Sequence, residues 1–588
     1  MSTPNRNVLW GRAIADELAK AGVEAACVAP GSRSTPLVVA LAEHDGITIH
    51  SHLDERSVAF YALGRAKRTG RPTPLVCTSG TAAANFHPAA IEASQARVPM
   101  LLLTADRPPE LRDSGANQTI DQTKLYGDAV RRYRELPEPE ASSRKLRSLR
   151  TTVARSVAES TGTPAGPVHL NVPFAKPLEP VEVPGDVPAD FAARHPLAAE
   201  GRDGPYVSVV RGRPTLPEAD RRPVVEAVRN ADRGLIVAGP ADGLDTGSIR
   251  ELGAATGFPV LADPLSGVRF ASTGAADARE TTVAGGYDSW IDIPDPPAPD
   301  LVIRFGASPT SNVLREYLRG SDARQFLVDP AGEWREATFA ASDLLVADGA
   351  HLARSLAADL DAPPTDPGWC ERFDRLESRY WEVVGEAISR EEVFEGAILE
   401  RVFAGAPDPA TVFVSNSMPV RDADRFGRPR EADLTVLGNR GASGIDGIVS
   451  TALGAGSTTD EPLVLVTGDL AYYHDANGLL AVRRLGVDAT VVLLNNDGGG
   501  IFHALPIERF DPPFTEQFRT PHGLDFAPTG ELHGLEFVRT DSLEGFVDAY
   551  DASLVSDGTQ VIEVVLDGEA SHRTRESIHE RVRTALGD

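Results

Sequence analysis

The stretch LLNNDGGGIF, residues 493–502, closes one of the most apolar runs in the chain. The segment before it, Ala489 to Leu494, reads as a buried strand. A turn accounts for Asp497 and Gly498. It does not account for Asn495 and Asn496, which stand where a buried strand would hold apolar residues. A second apolar run, VLVTGD at 464–469, ends in Asp469. The spacing between Asp469 and Asn496 suits one helix between neighbouring parallel strands. Two oxygen-bearing side chains would then meet at one sheet edge, in the loops where open parallel sheets bind ligands. A Mg²⁺ ion there can take the Asp469 carboxylate, the Asn496 amide oxygen, a backbone carbonyl of the glycine-rich turn and diphosphate oxygens. Either motif alone reads as an Asp N-cap or an ordinary turn. The pair favours a metal–diphosphate site.

Working outward, strand and helix patterns alternate along the whole chain. EAACVAP, ITIHSHL, PLVCTSG, PMLLLTAD and GPVHLNVPF are strands of a first unit. Between them lie helical stretches: residues 11–21 capped by Gly22, STPLVVALAEH with Ser34 or Thr35 as N-cap, ERSVAFYALGRAKR, and TAAANFHPAAIEAS. A Pro-rich acidic stretch, about 177–204, reads as a linker. GLIVAG, FPVLAD, DLVIRFG and QFLVD are strands of a second unit, and DLDAPPTDPGW (359–369) is a second linker. The third unit opens with helical EEVFEGAILERVFAG, followed by strands TVFVSN, LTVLGN, PLVLVTGD, ATVVLLNN and QVIEVVLDG. The expected fold is therefore α/β, with three doubly wound parallel-sheet domains at 1–185, 205–360 and 370–588.

Composition narrows the function classes. The 588 residues carry a formal net charge of −27, with only five lysines (Lys20, Lys67, Lys124, Lys145, Lys176) among 58 basic residues. Such a surface suits solubility at molar salt, where the Debye length is about 3 Å and self-repulsion is screened. A GC-rich genome, which favours arginine over lysine, is the plainer account. Either argues against nucleic-acid or anionic-membrane binding. No apolar run approaches the roughly 18 residues that span a bilayer. Three separated cysteines, Cys27, Cys77 and Cys370, read as reduced thiols of a cytoplasmic protein.

The paired GD and NN motifs resemble the signature of thiamine diphosphate (ThDP)-dependent enzymes, with Leu470 where that signature usually has a glycine. Further blocks narrow the resemblance: APGSRSTPL, HLDERSVAFYALGRAK, TSGTAAANFHPA, LTADRPPELRDSGANQTIDQ, NRGASGIDG and GDLAYYHDANGL. Together they are similar to the MenD family, the SEPHCHC synthases of menaquinone biosynthesis. They cover both terminal units, and the central unit adds only IRFGASPTSNVL.

The resemblance implies pyrimidine-binding, central and diphosphate-binding domains, ThDP with Mg²⁺ or Mn²⁺, and at least a homodimer. It implies decarboxylation of 2-oxoglutarate and 1,4-addition of the resulting carbanion-enamine to isochorismate. Glu55 would be the catalytic carboxyl at the cofactor pyrimidine, although an isolated Glu there reads as a helix-start charge. Cofactor contacts would come from Ser79, Gly80, Thr81, Asn85, Ser417, Met418, Gly444, Ile445, Gly468, Leu470, Gly499 and Ile501. Asp469, Asn496 and the Gly498 carbonyl would hold the metal, and Asn495 is given no separate role. Substrate carboxylates would meet Arg33, Arg107, Arg421 and Arg440, since guanidinium pairs carboxylates bidentately. Ser32, Asn117, Gln118 and Ser417 would add hydrogen bonds, with Phe502, Leu505 and Ile501 as an apolar wall. Asn312 stands where relatives carry a lysine, and Arg315 is its candidate replacement. His87, His474 and His503 read as structural or polar lining. The rivals are another ThDP enzyme, such as an acetolactate synthase or an oxo-acid decarboxylase, a non-catalytic regulatory homologue, and a Rossmann dehydrogenase, against which no GxGxxG follows a predicted strand in the right context.

Overall fold

The computed structural model describes residues 3–241, 243–271, 281–360, 362–390 and 393–587. They form three six-stranded sheets. The first holds β1 (Ala25–Val28), β2 (Thr48–Ser51), β3 (Thr73–Cys77), β4 (Met100–Asp106), β5 (Arg132–Glu135) and β6 (Pro167–Pro173), in the order β2-β1-β3-β4-β6-β5. The second holds β7 (Gly234–Ala238), β8 (Val260–Ala262), β9 (Val283–Ala284), β10 (Leu301–Phe305), β11 (Arg324–Val328) and β12 (Asp343–Leu345), in the order β12-β11-β10-β7-β8-β9. The third holds β13 (Ala410–Val414), β14 (Leu434–Leu437), β15 (Leu463–Gly468), β16 (Thr490–Asn495), β17 (Glu536–Thr540) and β18 (Gln560–Val565), in the order β14-β13-β15-β16-β18-β17. Every pairing is parallel, and the inner strands are buried along nearly their whole length. Continuous Val/Ile/Leu runs such as LVLVTG follow from that burial, because helices cover both faces.

The chain folds as two compact units. One comprises residues 1–211, 439–460 and 474–487, and the other 212–438, 461–473 and 488–588. In the first unit, the helix Ile448–Gly456 packs against the helix Glu55–Thr69. Their backbones nearly touch: a Cβ on Gly64 would sit 1.9 Å from the Thr451 carbonyl oxygen, and one on Gly454 2.0 Å from that of Tyr61. The glycines permit this crossing, and it brings the loop 439–447 into the same unit as Glu55.

Several local expectations change. Neither Ser34 nor Thr35 caps its helix by accepting an amide. Their hydroxyls donate instead to the Gly31 and Ser32 carbonyls, because a 3₁₀ turn at Ser32–Ser34 already runs into the helix Thr35–Ala42. TAAANFHPAAIEAS is two helices, Thr81–Ala84 and His87–Ala96. Pro88 lacks the amide that a continuous helix would need there. Strand β5, RYRE, has no apolar alternation to betray it, and as an edge strand it tolerates charge.

The stretch read as the first linker is pinned down: Leu178, Phe191 and Ala198 join the apolar core of the first sheet. Before the third sheet, a helix at Pro367–Ile388 was not foreseen. Its Trp369, Phe373, Leu376 and Tyr380 share a core with Leu235 and Val237 of β7. The next helix runs Glu395–Gly405, and Glu391 and Glu392 of its expected start lie outside the described residues.

Candidate active site

Strands β15 and β16 are adjacent, with Gly468 opposite Leu494. Asp469 and Asn496 therefore leave the sheet at one edge. Asp469 is 2% exposed, and its burial pushes the carboxyl pKa up. Its Oδ2 accepts the Gly498 amide at 2.9 Å, and its Oδ1 accepts the amide of Leu470 at 2.7 Å. Gly498 has φ +135°, and a Cβ there would fall 2.1 Å from the Arg519 carbonyl oxygen. Only glycine fits that turn. Asn496 donates through Nδ2 to Glu395 Oε1 at 3.0 Å, while its Oδ1 is buried without a hydrogen-bond partner. An unpaired buried acceptor costs about 1–3 kcal/mol, and a cation would relieve it.

The donor set fits a hard divalent ion: carboxylate, amide oxygen and backbone carbonyl are all oxygen ligands. Among the described residues no group of three His, Cys, Asp or Glu side chains could hold a metal.

Asn495 has a role after all. Its Nδ2 donates to the buried Glu563 at 2.7 Å, and its Oδ1 accepts the Asp497 amide at 3.1 Å, which closes the turn after β16. His522, which the sequence reading did not single out, places Nε2 3.1 Å from Asp469 Oδ2. It sits in an irregular loop, PHG, with no periodic or motif signal. His503 instead pairs with Glu508 at 2.9 Å.

Ser417, at the end of β13, has φ +71°, a strained conformation for a residue with a side chain. Arg421, one turn into the helix Met418–Phe426, donates to the Ser417 carbonyl at 2.5 Å. Met418 is buried, whereas Leu505 is 44% exposed and Ile501 and Phe502 are half-buried in the 3₁₀ turn Gly500–Ala504. These last three are not core residues. Asn312 accepts from Arg315 at 3.1 Å within one helix of the second sheet's layer.

In the other unit, the candidate residues follow β1 to β4. Asp54, not Glu55, caps the helix Glu55–Thr69, accepting the Arg56 and Ser57 amides. Glu55 is the acid of the helix's first turn, where the helix-start reading also puts it, and stands half-buried close enough to Cys77, at the end of β3, for its charge to raise the thiol pKa further beyond the effect of burial. Arg33 is 4% exposed and donates to the Phe174 carbonyl at 2.6 Å, while its Nε is buried without a hydrogen-bond partner. Arg107 donates to the Asn117 carbonyl at 2.7 Å. Backbone carbonyls anchor both guanidinium groups without cancelling their charge.

The loop that carries Asn117 and Gln118, both exposed, is tied to the end of β3. Ser79 Oγ donates to the Gln118 carbonyl at 2.9 Å and the Gly80 amide donates to Gln122 at 2.9 Å. Thr81, Asn85 and Ser32 are exposed. The loop with Arg440, Gly444 and Ile445 is held by Glu92, which accepts the Gly441 and Ala442 amides at 2.7 and 2.6 Å. The candidates thus fall into two groups, one in each unit.

Residues 10–125 match the family model of the thiamine pyrophosphate enzyme N-terminal TPP binding domain, and residues 422–564 that of the C-terminal TPP binding domain. The chain is 60% identical over 587 residues to the 2-succinyl-5-enolpyruvyl-6-hydroxy-3-cyclohexene-1-carboxylate (SEPHCHC) synthase of Halobacterium salinarum strain R1, covering 99% of each chain. It belongs to the SEPHCHC synthase family. The Haloarcula marismortui synthase is 60% identical with 100% of both chains covered, and that of Roseiflexus castenholzii 46% identical with 99% of both covered. Among solved structures, the thiamine diphosphate-dependent 4-hydroxybenzoylformate decarboxylase of Rhodococcus jostii RHA1 shares the fold, with TM-score 0.70 and 18% identity over 95% of this chain and 99% of that one. Like the rest of the SEPHCHC synthase family, the chain is a ThDP-dependent enzyme. Among the described residues no helix is long and apolar enough to cross a membrane.

Proposed function

We propose that the chain catalyses the SEPHCHC synthase reaction, decarboxylating 2-oxoglutarate and adding the remaining unit to isochorismate in a 1,4 sense. The observation that carries this reading is the intact oxygen-donor edge. Asp469 and the Gly498 turn stand beside a buried Asn496 oxygen that has no partner, in a chain matching synthases of that name end to end.

Asp469, Asn496 and the Gly498 carbonyl would hold Mg²⁺ or Mn²⁺ and, through it, the diphosphate. Gly468, Leu470, Gly499, Ser417 and Met418 would border it, and Ser79, Gly80, Thr81, Asn85, Gly444 and Ile445 would border the rest of the cofactor. When bound, ThDP supplies the electron sink that lets an oxo acid lose CO₂. Glu55 would hydrogen-bond the cofactor pyrimidine, where shelter from water strengthens that one bond. Arg33, Arg107, Arg421 and Arg440 would orient dianionic substrates, with Ser32, Asn117 and Gln118 adding hydrogen bonds. Ile501, Phe502 and Leu505 would exclude water from the reacting carbons.

The assembly is read as a cytoplasmic homodimer at least, adapted to high salt. Relatives from halophilic archaea and the net charge of −27 support the salt adaptation. Incubation with 2-oxoglutarate and isochorismate, against pyruvate alone, tests the function by product mass. SEPHCHC is expected only from the first pair, and acetolactate from pyruvate would overturn the reading.

A further inference from the structure

Asn496 can serve a metal only if its amide points the right way. The carbonyl oxygen is a ligand, whereas the NH₂ group would repel a cation. Asparagine is nearly symmetric in shape, so packing alone does not choose. A buried relay makes the choice. Glu395 opens the helix Glu395–Gly405 and is 1% exposed. Its Oε1 accepts from Asn496 Nδ2 at 3.0 Å and its Oε2 accepts from Arg575 Nη2 at 2.8 Å. Arg575, on the C-terminal helix Gly568–Gly587, is 4% exposed and pairs bidentately with the fully buried Asp422, Nε to Oδ1 and Nη2 to Oδ2, both at 2.7 Å. A carboxylate can only accept, so the side of Asn496 facing Glu395 must be its NH₂. The oxygen is left on the other side, buried and unpaired.

We propose that Glu395, held by Arg575 and Asp422, is a positioning residue that locks the Asn496 amide with its oxygen toward the metal–diphosphate site. The proposal rests on the metal site described under Proposed function. It makes a polarity argument that substitution can reverse. In Glu395→Gln the introduced amide must still accept from Arg575, so its own NH₂ faces Asn496. Asn496 then turns its oxygen to that amide and its NH₂ to the metal. In the double variant Glu395→Gln/Asn496→Asp, the introduced amide donates to the introduced carboxylate and accepts from Arg575. Both hydrogen bonds return, the total charge is unchanged, and an oxygen again faces the metal.

The test is calorimetric titration of the full-length apo protein with ThDP and Mg²⁺, with thermal melts to verify folding. Glu395→Gln is expected to weaken cofactor affinity by about 10–100-fold, the usual size of effects from groups that orient metal ligands. The double variant is expected to recover most of that loss. Arg575 keeps Asp422 in both, so the fold should persist; if the single variant does not fold, a folded double variant with near-native affinity still supports the relay. Unchanged affinity in Glu395→Gln, alongside a large loss in Asn496→Ala, would overturn the positioning role and leave the metal site standing. A double variant as weak as the single would also overturn it. Unchanged affinity in Asn496→Ala would overturn the metal site itself.

Discussion

The first and third sheets share one strand order, in which the first strand lies between the second and third and the fifth occupies the far edge. The central sheet has the other doubly wound order, 3-2-1-4-5-6, which is the order of dinucleotide-binding folds. Yet most candidate site residues lie on the first and third sheets, and among the described residues the central one offers only Asn312 and Arg315. Asp263, after β8, is 1% exposed and accepts the amides of Leu265 at 2.9 Å and Thr310 at 2.8 Å, just as Asp469 accepts those of Leu470 and Gly498, so the acid alone does not distinguish the sheets. Gly239 after β7 lets its loop approach the Ala307 carbonyl so closely that a Cβ would fall 1.8 Å from it. Loop packs on loop where a ligand could have entered. On the third sheet the loop after β16 leaves Asn496 Oδ1 without a protein donor. Topology offers a crevice; whether the loop ends satisfy their own polar groups decides if it becomes a site.

The largest expected effect falls on the first sheet. Glu55→Gln should lower kcat by about 10³-fold or more, within the range for removal of a positioned proton carrier, with melting temperature and ThDP affinity near wild type. Near-native turnover would take Glu55 out of the chemistry. On the third sheet, Asp469→Ala should weaken ThDP·Mg²⁺ binding by about 100-fold, since a charged ligand to the ion is lost. Its central counterpart sharpens the contrast: Asp263→Ala should leave cofactor affinity unchanged and cost about 1–3 kcal/mol of stability, because two buried amides lose their acceptor. A cofactor defect in Asp263→Ala would break the distinction between the sheets.

A smaller effect is expected at Arg421. Arg421→Ala should raise KM for 2-oxoglutarate about tenfold, equivalent to roughly 1.4 kcal/mol, from low to molar KCl. The wild type should hold or gain kcat/KM as salt screens its acidic surface. A wild-type activity that falls steadily with salt while the fold persists would remove the salt-adaptation reading.

A further effect concerns pH and two histidines of the first sheet. Burial pushes the pKa of His169 down to about 3 and that of His50 to about 4. Unfolded histidine takes up a proton near 6.5, so between that pH and the folded value the unfolded state binds more protons. Their contribution is present above pH 6.5 and lost as pH falls through this window, with a limiting slope of about 1.4 kcal/mol per pH unit for each group. His169→Gln, which can keep a bond to Thr104, should flatten the dependence of denaturant midpoint on pH between 6 and 4. An unchanged slope would refute the assignment.

Much of this was legible in the chain. The inner strands of all three sheets announce themselves as short apolar runs, and the runs that end in Asp469, Asn496, Ser417 and Arg107 place those residues at strand ends. What escaped was written in weaker codes. RYRE of β5 and EFVRT of β17 are charged edge strands without a clean period of two. The helix Pro367–Ile388 begins inside a stretch rich in Pro and Asp, whose composition suggests a linker. Glu55 and Asp54 are adjacent acids, and only the backbone angles decide which of them caps the helix.

The sequence by itself determined the periodicities, the glycines at forced turns and the order of ligating residue types, because each is local to one segment. The tertiary structure alone decided the partners. Glu395 meets Asn496 across 101 positions, Glu92 meets the Gly441 amide across 349, and His522 reaches Asp469 across 53. No periodicity encodes such pairs. They arise when packed sheets and helices bring distant polar groups into a low-dielectric interior, where each buried donor or acceptor must find a partner or be kept for a ligand.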